Sequence, residues 1–242
     1  MPEWEAAKRR MYEVFGHVPR PERMVGCPHC VEPGEELCIL VGPVRSVKAE
    51  LLARYAAKAL TTWGGVAEFR YFLPRLLECA AADAFTYPDP EIVFGKLASA
   101  EWWTWPIDER DAIAAFLSEW WRETLRNYPV HPSVSTVLCA LGATGMDLTP
   151  CLSAWSKLDT DAAIRHLHDF VLTGLSGERL TNAFWNRRSP AYQQVLAWLT
   201  GGPAAAAVEA TFAEQTQEPM LELLAIIEPA LHPSRGDVDR PP

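Results

Sequence analysis

Apolar residues recur along most of this chain at three- and four-residue intervals, the spacing that gathers them on one face of an α-helix. Trp4, Ala7, Met11 and Val14 open the pattern after Pro2 and predict a first helix that ends at Gly16. There the pattern breaks. Residues 16–45 hold Pro19, Pro21, Pro28, Pro33 and Pro43 with glycines at 16, 26, 34 and 42, and read as a long ordered loop or linker. Within it Cys38–Val41 is a candidate strand fragment. A loop of that length inside a compact domain has a reason, such as a metal, a functional surface or short elements of its own.

Helical spacing resumes with Ser46 as N-cap. Over 47–63 it places Leu51, Leu52, Tyr55, Ala56 and Leu60 on one face, and Gly64-Gly65 ends it. A second stretch, 66–82, carries Phe69, Phe72, Leu73, Leu76 and Leu77; Pro74 in its middle predicts a kink or a restart. Asp89-Pro90 and Trp105-Pro106 open two more, the latter running to about Asn127 with Ile113, Phe116, Leu117, Trp120 and Leu125 on one stripe. Further helices are predicted at 134–143, 150–157, 161–175, 178–187, 190–200, 203–215 and 219–231. The fold class is all-α. A compact multi-helix bundle is the first expectation, with a short HEAT-like stack of antiparallel helical hairpins as the alternative. The expected organisation is an N-terminal helix and cysteine-containing loop over 1–45, a helical domain over 46–231 and a flexible tail over 232–242.

Charge and composition narrow the function. Of 242 residues, 49% are hydrophobic and 22% charged, which fits a globular chain. The net charge is −9, which argues against a general nucleic-acid binder, because that needs a cationic face for phosphates. No apolar run approaches a membrane span, and the charged N-terminus lacks the apolar core of a signal peptide, so a cytoplasmic protein without membrane insertion is expected. Between Pro203 and Pro233 lie Glu209, Glu214, Glu218, Glu222 and Glu228 with no lysine or arginine. Such a stretch is either a solvated face or a docking surface for a basic partner.

Cysteines carry the most specific local signal. Cys79, Cys139 and Cys151 lie singly in apolar stretches and read as small core side chains. Cys27-Pro28-His29-Cys30 differs, because a Cys-x-x-Cys turn can present two thiolates to one tetrahedral zinc, with Cys38 near enough in sequence to be a third ligand and His17, His29 or a cysteine from a distant helix to complete the set. A structural zinc is therefore the cofactor this spacing would hold, and it would explain how a proline-rich loop stays ordered. A strong zinc signature has two such pairs, and this chain has one.

The same tetrapeptide resembles the active site of DsbA-type thiol oxidases, in which a helix N-terminus lowers the pKa of the first cysteine. Those proteins carry it after a strand of a thioredoxin fold, which the helical pattern here does not offer. His168-Asp169, with His131 upstream, resembles part of the metal set of HD-type phosphohydrolases, but the only later aspartates are Asp237 and Asp239. Gly26-Cys27-Pro28-His29-Cys30, the Tyr55–Leu77 helix pair with Phe69-Arg70-Tyr71-Phe72-Leu73-Pro74-Arg75, and Trp102–Pro106 together resemble a group of uncharacterised bacterial proteins of similar length. That resemblance implies a bacterial cytoplasmic protein and brings no activity with it.

Ten tryptophans are many for this length. Trp103, Trp105 and Trp121 are candidates to line a partner-binding groove, although tryptophan more often fills a core. The leading functional expectation is a non-catalytic α-helical interaction module, a regulator or immunity-type binder of a basic protein partner. Its competitor is a metal- or thiol-dependent enzyme using the Cys27/Cys30 loop or the His168/Asp169 doublet.

Overall fold

The structure, a computed structural model, describes residues 3–231. The expected tail over 232–242 lies outside them. Among the described residues are eleven α-helices and one two-stranded hairpin, so the fold is all-α. The chain forms two compact units, Met1–Trp121 with Ala143–Gly145, and Arg122–Gly142 with Met146–Pro242.

The first unit holds α1 (Glu3–Phe15), α2 (Ala49–Lys58), α3 (Val66–Ala81), α4 (Pro90–Ser99) and α5 (Ile107–Arg126) as far as Trp121. Its core is the buried stripe of α3, Phe69, Phe72, Leu73, Leu76 and Leu77, packed on Leu52 and Tyr55 of α2 and against α1 and α4. Aromatic contacts fill it: Tyr55 meets Trp63 edge-on at 5.4 Å, and Phe94 stacks on Trp120 at 4.4 Å. Helix α3 runs as one helix through buried Pro74. α2 is shorter than its spacing predicts. Leu60 adopts a left-handed φ of 64°, which no helix tolerates, so α2 stops at Lys58 and Ala59–Gly65 becomes a turn. Ser46 sits in a short 3₁₀ turn, its hydroxyl on the Pro43 carbonyl, and Lys48 is the N-cap of α2.

The second unit holds α5 from Arg122, α6 (Val134–Ala143) up to Gly142, α7 (Thr149–Trp155), α8 (Asp161–Asp169), α9 (Pro190–Thr200), α10 (Pro203–Glu214) and α11 (Glu218–Leu231). Trp155 centres its core, stacked on Trp198 at 5.1 Å and edge-on to Phe170 at 5.5 Å. Helix α8 packs on α11 across two intervening helices, a contact made by a bundle and absent from a linear stack of hairpins. The side chains of Thr160 and Ser189 cap α8 and α9, accepting from the N–H of Ala163 and Tyr192.

Two expected elements differ. Cys38–Val41 is the end of a 3₁₀ turn and a bend, with Ile39 and Leu40 both buried where a strand would alternate. The helix expected at 178–187 is a hairpin, β1 (Leu175–Ser176) with β2 (Arg179–Leu180), followed by turns. Gly177 at φ 58° makes the reversal that a helix would forbid.

Candidate functional site

The Cys27–Cys30 turn is built from the backbone outward. Past the end of α2, Thr62 and Gly64 pair with the incoming loop: the Cys27 N–H donates to the Thr62 carbonyl and the Gly64 N–H to the Val25 carbonyl, each at 2.7 Å. That makes an antiparallel bridge between Gly26 and Trp63, the latter buried in the core. Only glycine fits at 26, because a Cβ there would stand 2.8 Å from the Cβ of Val31. The chain then makes one helical turn, in which the Cys30 and Val31 N–H groups both donate to the Cys27 carbonyl at 2.9 Å. Pro28 suits the first position of that turn, where an N–H would have no partner.

Two cations from α2 hold the far side. Lys58 Nζ donates to the Cys30 carbonyl, and the Arg54 guanidinium reaches the same oxygen at 3.4 Å. Arg54 also pairs with Glu35 at 2.8 Å, and Glu35 accepts the Glu32 N–H at 3.1 Å. The loop is therefore fastened through its main chain on both sides, and Cys27 and Cys30 stay partly exposed as free thiols.

The Cys27 thiol ionises below its ordinary range. Hydrogen bonding from the His29 N–H is the largest cause; the Cys30 thiol and N–H and the Lys58 charge add to it, while desolvation opposes. The three other buried cysteines are core side chains, and burial pushes the Cys79 thiol up to about 11 and the Cys151 thiol up to about 12.

The remaining expected ligands do not join this pair. Cys38 is exposed at the end of the Glu35–Cys38 turn, and His17 points Nδ1 at the Val14 carbonyl (2.7 Å) and Nε2 at Glu109 (3.3 Å). Among the described residues no group of three or more His, Cys, Asp or Glu side chains is placed to hold a metal ion. Cys38 is therefore not grouped with Cys27 and Cys30 as a third ligand among the described residues.

The tryptophan trio is not a surface either. Trp105 is buried, with its Nε1–H on the Ala100 carbonyl at 3.1 Å and the Arg70 guanidinium over its ring, and Trp121 is 1% exposed. Of the three, Trp103 alone is exposed, because the 3₁₀ turn at Trp102–Thr104 points it away from the core.

A second concave site lies in the second unit, a cavity of about 210 Å³ lined by Tyr128, His131, Ser133, His166, Asp169 and Thr173 among others. His166 is buried, and its Nε2 faces the carbonyls of Thr124 (2.9 Å) and Asn127 (2.8 Å), so that nitrogen carries a proton and caps the end of α5. Tyr128 Oη donates to Asp169 Oδ2 at 2.8 Å, and His168 Nδ1 lies 3.2 Å from Asp169 Oδ1. His131 and Asp169 line the cavity and His168 lies against Asp169, but the three are not grouped to hold a metal ion among the described residues.

Lys58, Arg54 and Thr62 are the functional residues that sequence reasoning missed. The readable signal was the basic pair four apart at the end of α2, one helical stripe facing whatever packs there. No family model, curated protein or solved structure matches the chain, and no helix among the described residues is long and apolar enough to cross a membrane. Fold and site together define a helical protein that carries a dithiol on a fastened surface loop.

Proposed function

We propose that this chain is a thiol–disulfide exchange protein working through Cys27 and Cys30. The observation that carries the reading is that Cys27 and Cys30 are partly exposed free thiols on one closed turn, in which the Cys30 N–H donates to the Cys27 carbonyl at 2.9 Å. The Cys27 thiolate attacks one sulphur of a substrate disulfide; that S–S bond breaks, and the first substrate thiolate leaves and takes a proton. Cys30 then loses its proton and attacks the Cys27 sulphur of the mixed disulfide. The second substrate thiol is released, and the Cys27–Cys30 disulfide remains. Two electrons have passed from the dithiol to the substrate. Such a pair belongs in a reducing compartment such as a bacterial cytoplasm.

Equilibrating the protein in glutathione buffers of graded potential, quenching with acid and mapping the peptides tests this. One two-electron transition that removes the mass of a hydrogen molecule from the Cys27–Cys30 peptide supports it. A glutathione adduct that persists at equilibrium with no loop disulfide overturns it.

A second reading is favoured by α10 and α11. Glu209, Glu214, Glu218, Glu222 and Glu228 are all exposed there, no lysine or arginine occurs from residue 189 to 231, and Phe212 and Ile226 stand out of the same helices. This supports a non-catalytic face that docks a basic protein segment. Its test is whether a binding partner is released by moderate salt and by charge reversal at Glu209, Glu218 and Glu222; binding indifferent to both rejects it.

A further inference from the structure

We propose that the reduced Cys27–Cys30 turn is a two-coordinate site for a soft monovalent cation, copper(I), held between the two sulphurs. The inference uses the same two atoms as the exchange reading but does not need them to exchange.

The number of ligands decides which metal the turn can hold. Zinc prefers four and binds thiolate, imidazole or carboxylate; the loop offers two thiols, and among the described residues no third His, Cys, Asp or Glu completes a group with them. His17 has both ring nitrogens engaged elsewhere in the unit, and Cys38 ends its own 3₁₀ turn. A d¹⁰ monovalent ion has a different requirement. Thiolates are the soft ligands that select copper(I), and two of them satisfy it in a linear arrangement.

The surroundings fit that ion. Copper(I) between two thiolates carries one net negative charge, and the Lys58 ammonium, fixed on the Cys30 carbonyl, stands beside the pair to balance it. The Cys30 and Val31 N–H groups hold the Cys27 carbonyl at 2.9 Å, so the turn that carries both sulphurs stays closed when the metal binds. The turn is also held before any metal arrives, by Thr62 and Gly64 on one side and by Lys58 and Arg54 on the other. Binding replaces two S–H bonds with two S–Cu bonds, releases two protons to the buffer and changes no oxidation state.

The test is an anaerobic titration of the full-length reduced protein with copper(I) against bicinchoninate as the competing chromophoric chelator. A parallel titration uses zinc(II). The expected result is one copper(I) per chain. Affinity should fall more than about a hundredfold on Cys27→Ser or Cys30→Ser, beyond what loss of an outer contact costs, and stay unchanged on Cys38→Ser. Lys58→Met, an outer contact, should weaken binding by about tenfold. X-ray absorption at the copper edge gives a readout independent of the variants' folding, and two sulphur neighbours with no nitrogen are expected. Copper uptake that survives the Cys27→Ser/Cys30→Ser double variant would overturn the site. So would tight zinc binding that requires Cys38. Copper binding without any loop disulfide in the glutathione titration would sink the exchange reading and leave this one standing; the reverse pair of results would do the opposite.

Discussion

The connection between α1 and α2 and the connection between α5 and α6 are both irregular, and each brings groups capable of chemistry to the surface of its own unit. They are held in opposite ways. The first is fastened by its main chain, whose N–H and C=O groups meet Thr62, Gly64, Lys58 and Arg54. Its two cysteine side chains take no part in that fastening. The second is fastened by side chains: the His166 ring holds the carbonyls of Thr124 and Asn127, Tyr128 holds Asp169, and Asp169 faces His168. A loop pinned through its backbone keeps its reactive groups available, whereas one pinned through its side chains commits them to structure. That is why the more crowded cluster of histidine, tyrosine and aspartate is the weaker candidate.

Substitutions sharpen the contrast, the largest expected effect coming from the base of the first loop. Trp63 is 1% exposed and carries the bridge to Gly26, so Trp63→Ala should cost about 3–5 kcal/mol in urea unfolding. A cost below about 1 kcal/mol would detach the loop's base from the core. Next comes His166→Ala, which removes the buried ring whose Nε2–H donates to the Thr124 and Asn127 carbonyls and should cost about 1–3 kcal/mol.

Alkaline pH gives a smaller, graded effect. The folded-state pKa values of Cys79 and Cys151 are raised above that of a free thiol, so between about 9 and those values the unfolded chain releases protons that the folded one keeps. Stability is fully present below about pH 9 and falls as pH rises through that window, by at most about 1.4 kcal/mol per pH unit for Cys151. Urea unfolding at about pH 8 and about pH 10 measures it, and Cys151→Ala should flatten the slope. The smallest effect is at the site itself: Cys27→Ser should leave the melting temperature unchanged, because the partners of that thiol all lie within its own turn and the turn is fastened through its main chain.

Proline and capping signals made most helices legible. Asp89-Pro90 and Ser189-Pro190 start helices where the sequence predicts, because the ring sets φ for a first turn. What stayed hidden was decided by single backbone reversals and by distance. Nothing in the apolar spacing of 47–63 announces that Leu60 turns left-handed, and Leu180 and Phe184 keep a helical four-residue spacing although Gly177 has already reversed the chain before them. The cysteine pair itself was legible at once. Its partners were not, since Lys58 meets Cys30 across 28 positions. Trp105 and Trp121 show the converse: aromatic residues crowded in sequence say nothing of which way each ring faces.

The most direct test of the central claim is mass-mapped alkylation of the native, reduced protein across pH. Cys27 should be labelled ahead of Cys30 and Cys38 and reach half-reaction below the ordinary range of a free thiol, while Cys79, Cys139 and Cys151 resist until the chain unfolds. If Cys27 is labelled no earlier and at no lower pH than exposed Cys38, the turn does not activate its thiol and the account fails.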